Sequence, residues 1–338
     1  MKHWRETAEI AERVAVLASG GRRAALATVV RIDGSSYRRP GAKLLIEDDG
    51  RTIGGVSGGC LEADVRGIAL HVIETGTPQL LHYDTGADDH TVWGLGLGCN
   101  GSVDIFVQPA TVPETLHVLT EIRARLDGTS AFGISTVVEG SSALGETRVV
   151  DDVGAARSRV ETIDGRTVFT EILDAPPSLI VCGAGDDARA LVAYASDAGF
   201  AVTVVDHRRA FLAADRFPSA KRLVHLRPEA AAGALAIDAR TLAVVKTHSF
   251  VHDRDWLRMF LTTRVSYVGV LGPRARADQM LEEIGERRDP RVFAPVGLSL
   301  GADGPEQIAI SVVAELLAVL TRQQPGHLRE RGQTIHAC

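Results

Sequence analysis

The sequence predicts an α/β protein in two parts: an N-terminal α+β domain with glycine and cysteine loops, then a C-terminal Rossmann-like, doubly wound parallel sheet. Three observations predict it. Gly183-Ala184-Gly185-Asp186-Asp187-Ala188 fits G-x-G-x-x-A directly after the apolar run Leu179–Cys182. Downstream of that turn, short apolar runs alternate with amphipathic ones, the rhythm of βαβ units. Upstream, neighbouring runs of alternating residues read instead as antiparallel strands. The halves meet at Ala175-Pro176-Pro177-Ser178, where two prolines can continue neither a helix nor a central strand.

At 338 residues and 45% hydrophobic composition the chain is long enough for two cores. The expected division is 1–174, 178–322 and a polar tail at 323–338. Four cysteines without a C-x-x-C pair argue against a zinc ribbon or a secreted disulfide framework. A net charge of −6 with scattered Lys and Arg offers no stripe for nucleic-acid phosphates. No apolar h-region opens the chain and no window is apolar enough to span a membrane. A soluble, cytoplasmic protein is expected, with a homodimer suggested only by the frequency of two-fold assemblies.

Element by element, residues 5–18 carry Ile10, Val14 and Leu17 at helical spacing and stop at Gly20-Gly21. Ala24–Ile32 reads as a strand, and Lys43–Ile46 with Arg51–Ile53 as a hairpin. A helix over Ala63–Glu74 is next, then strands at Leu80–Tyr83 and Val103–Val107 and a helix over 114–126. Runs at 133–138, 146–150 and 158–172 finish the first domain as strands. In the second, strands at 179–182, 202–205, 242–245 and 266–270 alternate with helices at 188–198, 253–262 and 274–286, before a last helix over Pro305–Leu320.

Glycine locates the chemistry. Of 34 glycines, 14 lie from Gly34 to Gly101, about twice an even share, and two of the four cysteines lie there too. Cys60 comes after Ser57-Gly58-Gly59 at the start of a helix, where the dipole favours a thiolate and the glycines leave the sulfur accessible. Cys99 lies in the comparable Gly96-Leu97-Gly98-Cys99-Asn100-Gly101. Cys182, inside a core strand, is read as packing, and Cys338 as incidental. Ser35, Ser36, Tyr37, Arg38 and Arg39 offer hydroxyls and guanidinium forks to an oxyanion. At the Gly183 turn, Asp206 ends the next strand where a dinucleotide site places its ribose-binding acid. Asp186 and Asp187 complement the helix dipole themselves and would repel a pyrophosphate. His248, after the strand 242–245, falls at the carboxyl edge of the sheet, and Asp253 is expected in the first turn of the helix beyond it.

Together, Gly34–Gly41, Ser57–Glu62, Gly96–Gly101, the Gly183 turn, Thr247-His248, Tyr267–Pro273 and Gly297–Gly301 resemble the XdhC/CoxI family, accessory factors for molybdenum hydroxylases. The resemblance implies binding of molybdenum cofactor, as molybdopterin or its cytosine dinucleotide, protection of it during sulfuration, and delivery to an apoenzyme of the xanthine dehydrogenase or carbon monoxide dehydrogenase type. A cysteine desulfurase or sulfurtransferase is the second implied partner, and a cofactor-insertion chaperone rather than a catalyst the implied role. The site expected on this basis comprises Ser36, Arg38, Arg39, Ser57, Gly58, Gly59, Cys60, Cys99, Gly183, Gly185, Asp206 and His248, with Cys60 and Cys99 as molybdenum-proximal thiols. Lys246 departs from the family pattern, which has an apolar residue there. The alternative reading is an NAD(P)-dependent oxidoreductase using the Rossmann turn.

Overall fold

The computed structural model describes residues 2–34, 38–84, 101–126, 128, 130–140, 142–151, 153, 157–231, 233–286 and 289–330. The chain forms two compact units, one running to Ala175 and the other from Pro176 to Glu330.

The first unit contains α1 (Lys2–Ser19), β1 (Ala24–Gly34), β2 (Lys43–Glu47), β3 (Thr52–Gly54), α2 (Glu62–Thr75), β4 (Gln79–Asp84), β5 (Gly101–Pro109) and α3 (Pro113–Leu126). It continues with β6 (Phe132–Glu139), β7 (Thr147–Val150), β8 (Arg159–Ile163) and β9 (Arg166–Leu173). An antiparallel sheet of order β3-β2-β1-β5-β4 and a second of order β7-β6-β9-β8 are the result. Alternation decides which side of the first sheet meets what. Ala25, Ala27, Val29, Leu44, Ile46, Ile105 and Val107 pack on Val65, Ala69 and Val72, one face of α2. On the opposite face, Leu26 and Leu45 join Ile10, Val14 and Leu17 of α1, Leu119 and Ile122 of α3, and Phe132, Ile134 and Leu173.

The expected strand over 158–172 is two strands. Asp164 and Gly165 have φ of 50° and 74°, so the chain reverses there as a hairpin. An Asp-Gly pair between alternating residues is the sequence signal for that turn.

The second unit runs β10 (Ser178–Cys182), α4 (Ala188–Asp197), β11 (Ala201–Asp206), β12 (Arg222–His225), β13 (Leu242–Val245), α5 (Phe250–Leu261), β14 (Tyr267–Val270), α6 (Arg274–Glu283), β15 (Val292–Phe293) and α7 (Pro305–Thr321). Its six parallel strands lie in the order β12-β11-β10-β13-β14-β15, which reverses between β10 and β13. This doubly wound sheet is buried on both faces. Leu179, Val181, Val202, Val204, Leu242 and Val244 lie against α4 and α7, whereas Ile180, Cys182, Val205, Ala243 and Val245 lie against α5 and α6. The reversal brings the carboxyl ends of β10 and β13 side by side, where such folds hold ligands. No helix among the described residues is long and apolar enough to cross a membrane.

Candidate functional site

In the first unit the loop from Gly54 to Cys60 leaves the hairpin of β2 and β3 and enters α2. A Cβ on Gly54 would stand 2.3 Å from the Lys43 carbonyl oxygen, so the loop passes over β2 at a distance only glycine permits. Gly55 N–H then donates to that carbonyl at 2.7 Å. Ser57 organises the rest of the loop: its Oγ accepts from the Gly59 and Leu61 amides, each at 3.1 Å, and from the Cys60 thiol at 3.4 Å. The Ser57 hydroxyl donates to Glu62 Oε2, while Ser57 N–H donates to Oε1 at 2.9 Å. Burial opposes ionisation of Glu62, but these bonds from Ser57 prevail and hold its carboxyl below the ordinary range. The anion at this helix N-terminus is therefore Glu62, and the half-buried thiol faces a hydroxyl. Gly58 and Gly59 are exposed, and a Cβ on Gly59 would meet open space.

The Arg38 fork is spent internally. Its Nη2 donates to Glu6 Oε1 and Oε2 at 2.6 and 2.7 Å, the residue is 8% exposed, and Nε is buried without a partner. Glu6 Oε1 also lies 3.1 Å from where a Gly54 Cβ would stand, so this pair flanks the root of the Cys60 loop. Arg39 is exposed. Ser36 and Cys99 lie outside the described residues. Among the described residues no group of three or more His, Cys, Asp or Glu side chains is placed to hold a metal ion.

In the second unit Gly183, Gly185, Asp206 and His248 come together at the carboxyl ends of β10, β11 and β13. Gly183 has φ of 115°, and a Cβ there would stand 2.4 Å from the Lys246 carbonyl oxygen. Asp206, 3% exposed, turns inward: Oδ2 accepts from the Ala184 amide at 2.7 Å and Arg208 Nη2 at 2.8 Å, and Oδ1 from the Arg208 amide at 2.8 Å and Nε at 3.0 Å. Burial works against its charge, but the Arg208 and Ala184 bonds bring its pKa down to about 2. Its oxygens are thus committed to Arg208 and to the glycine turn after β10 rather than offered to a ribose. Arg208 in turn lies over the Phe211 ring at 3.9 Å, and Arg216 binds the Ala184 carbonyl and Asp186 at 3.0 and 3.1 Å.

Because the folded pKa of Asp206 is depressed, its contribution is complete above about pH 4 and disappears as pH falls towards 2. Allowing for the partly exposed Arg208, wild type should lose about 1–2 kcal/mol more than Asp206→Asn over that interval. Urea unfolding of both proteins at pH 5 and pH 2.5 measures it; parallel losses would refute the assignment.

Two residues outside the expected set complete this edge. Asp187 Oδ1 lies 2.8 Å from Lys246 Nζ and its Oδ2 accepts from His248 Nε2 at 2.8 Å. His248 adopts a left-handed φ of 62°, a conformation that costs a non-glycine residue roughly 1–3 kcal/mol. Burial lowers the Lys246 pKa against the pull of Asp187; burial also opposes the charge of Asp187, but attraction to Lys246 and the bond from His248 prevail and lower its pKa. Asp253, in the first turn of α5 as expected, accepts from Thr247 N and Oγ1 at 2.9 and 2.6 Å and pairs with Arg276 at 2.8 Å.

Residues 179–316 match the family described as XdhC Rossmann domain, and residues 17–84 match the XdhC and CoxI family. A Bacillus subtilis protein named as a probable xanthine dehydrogenase subunit is 33% identical over 88% of this chain and 94% of its own length. The Escherichia coli protein named molybdenum cofactor insertion chaperone PaoD is 24% identical over 90% of this chain and 86% of its own. A crystal structure from Bacillus halodurans, described as a xanthine dehydrogenase, superposes with a TM-score of 0.80 at 29% identity, covering 93% of this chain and 96% of that one.

Proposed function

The chain belongs to the XdhC and CoxI family, and from that membership we propose that it serves molybdenum-cofactor maturation: it binds the cofactor, protects it during sulfuration and delivers it to a molybdenum hydroxylase apoenzyme. The observation that carries this reading is the match, along nine-tenths of the chain, to a protein named as a molybdenum cofactor insertion chaperone. A target of the xanthine dehydrogenase or carbon monoxide dehydrogenase type and a sulfurtransferase partner are the finer parts of the proposal. On this reading the protein is a carrier and performs no redox step itself.

The residues present suit such a cargo. Molybdenum cofactor, held through its own dithiolene, supplies the redox centre of the target enzyme, so a carrier needs a soft or hydrogen-bonding group near the metal and an anion site for the phosphate end. Cys60, beside the open Gly59, is the soft group, with Cys99 as its proposed companion. Ser57 orients the thiol, and Glu62 fixes Ser57. Anion sites suited to a phosphate are offered within the second unit by the Gly183–Gly185 turn with His248, and within the first by exposed Arg39 beside the buried Arg38. Nothing at Asp206 favours the NAD(P)-dependent alternative, since the carboxylate that would bind a ribose diol is already satisfied by Arg208 and Ala184.

Protein purified beside a molybdenum cofactor source is expected to carry molybdenum and pterin in near-equal amounts. The Cys60→Ser/Cys99→Ser variant should retain about tenfold less molybdenum, a change of about 1.4 kcal/mol in binding. Absence of both metal and pterin from wild type would overturn the reading. Unchanged retention by the double variant would overturn the role of the thiols.

A further inference from the structure

At the glycine turn that ends β10, the position suited to a ligand's anion holds an anion of the protein's own. Asp187 Oδ1 lies 2.7 Å from where a Cβ on Gly185 would stand, so the carboxylate is folded back over the glycine. This is the approach a phosphate makes to such a turn, towards the N-terminus of the following helix. The same carboxylate is met by Lys246 Nζ and by His248 Nε2, each at 2.8 Å.

Lys246 is the second and independent observation. Its side chain is 4% exposed, and its amine, though in ion contact with Asp187, has no aligned hydrogen-bond partner. Asp187 and Lys246 border a small apolar pocket formed by Leu191, Val244, Leu271 and Val296. An ammonium in such surroundings requires a counter-charge. On its other side Asp187 borders an open groove of about 620 Å³ with Asp186, Arg189, Tyr194 and Arg216. The carboxylate therefore stands between an open groove and a buried, imperfectly satisfied amine. A plain structural clamp would need neither the placement over glycine nor the opening to the groove.

We infer that Lys246 is the anion-binding residue of this turn and that Asp187 is its built-in competitor. A phosphate or diphosphate group entering from the groove takes the place of the Asp187 carboxylate beside Lys246 and His248, and Asp187 turns outward into the groove. One anion replaces another, so the buried ammonium is never left without a counter-charge, and no covalent bond changes. The inference rests on the reading that the turn takes the phosphate end of the cofactor. To that it adds the residue that holds the phosphate and a reason for weak binding by the resting turn.

The test uses inorganic pyrophosphate as probe, titrated into the full chain by calorimetry. Asp187→Asn keeps the side-chain shape and removes the competing charge, and should bind pyrophosphate about tenfold more tightly than wild type. Adding Lys246→Met to that variant should return affinity to the wild-type value or below. If Asp187→Asn folds poorly, Asp187→Ser removes the charge with a smaller polar side chain and carries the same expectation. Equal affinities for wild type and both Asp187 variants, or a gain that survives Lys246→Met, would overturn the inference. Molybdopterin retention by wild type is measured separately: its absence removes the functional reading while a pyrophosphate gain still stands, and the converse result removes only this inference.

Discussion

Glu171→Gln is expected to destabilise the N-terminal unit by about 3–5 kcal/mol, because it leaves a buried ammonium without its counter-charge. Lys43 on β2 and Glu171 on β9 meet across the two sheets of that unit, with Nζ donating to Oε1 at 2.7 Å and to the Gly41 carbonyl at 3.0 Å. Their side chains are only 6% and 3% exposed. Removing both charges together should cost far less than removing one. Lys43→Met/Glu171→Leu is therefore expected within about 1–2 kcal/mol of wild type, since apolar replacements of similar volume preserve packing. A cavity of about 50 Å³, lined by Ile10, Leu26, Phe106, Leu119 and Phe169 among others, borders the pair and gives the new side chains room.

Hydrogen exchange during urea titration separates this effect from any change in the other unit. Amides of β2 and β9 should lose protection in Glu171→Gln while those of β10, β13 and β14 keep it. A loss below about 1 kcal/mol would mean that water already solvates the pair and that the burial argument fails. There is a functional corollary. The Lys43 main-chain carbonyl receives the Gly55 amide at the root of the Cys60 loop, so unfolding of β2 in Glu171→Gln is expected to release the loop that carries the thiol.

Much of this architecture is legible in the sequence because hydrophobic period tracks it: helices with one apolar face and strands with continuous apolar runs fall where those patterns do. The exceptions have physical causes. β12 and β15 are short edge strands that owe their extended state to pairing with β11 and β14 rather than to their own pattern. Arg222 and His225 at the ends of β12 carry no apolar signal at all, and β15 has only two residues. The hairpin at Asp164-Gly165 was legible, but the alternating residues on both sides of it read equally well as one strand.

For the candidate site, sequence spacing identifies loops and leaves their ion pairs unspecified. Gly183, Gly185, Asp206 and His248 can be brought to one sheet edge by the known order of a doubly wound sheet. That Asp206 is taken by Arg208, that Glu6 consumes Arg38 and that Asp187 meets Lys246 depend on tertiary placement. One hint is present: a lysine at the end of a core strand is unfavourable alone, and the acidic pair at the start of the neighbouring helix can supply its counter-charge. Burial costs a charge several kcal/mol unless a partner is supplied, so an isolated charge in a core position predicts its complement nearby.

The two glycines of the turn make a separable pair of predictions. Gly183→Ala should cost about 3 kcal/mol or more, or prevent the second unit from folding, because the new Cβ would stand 2.4 Å from the Lys246 carbonyl oxygen and 2.9 Å from Thr247 Cα. Those are backbone atoms, and Lys246 N–H is fixed to the Cys182 carbonyl at 2.8 Å, so neither chain can give way without breaking the contact of β10 with β13. The left-handed φ of 115° adds strain of its own. Gly185→Ala meets only Asp187 Oδ1, at 2.7 Å, the end of a side chain that can rotate. Its expected cost is about 1 kcal/mol, because a small rotation of the carboxylate relieves the contact while it still faces Lys246 and the sheet stays where it is. If both glycines were present only for a ligand, both alanine variants would fold like wild type and differ from it only in binding. Thermal unfolding of the two variants decides between these cases: a Gly183→Ala protein as stable as Gly185→Ala would show that the close approach of β10 and β13 is not what requires the first glycine.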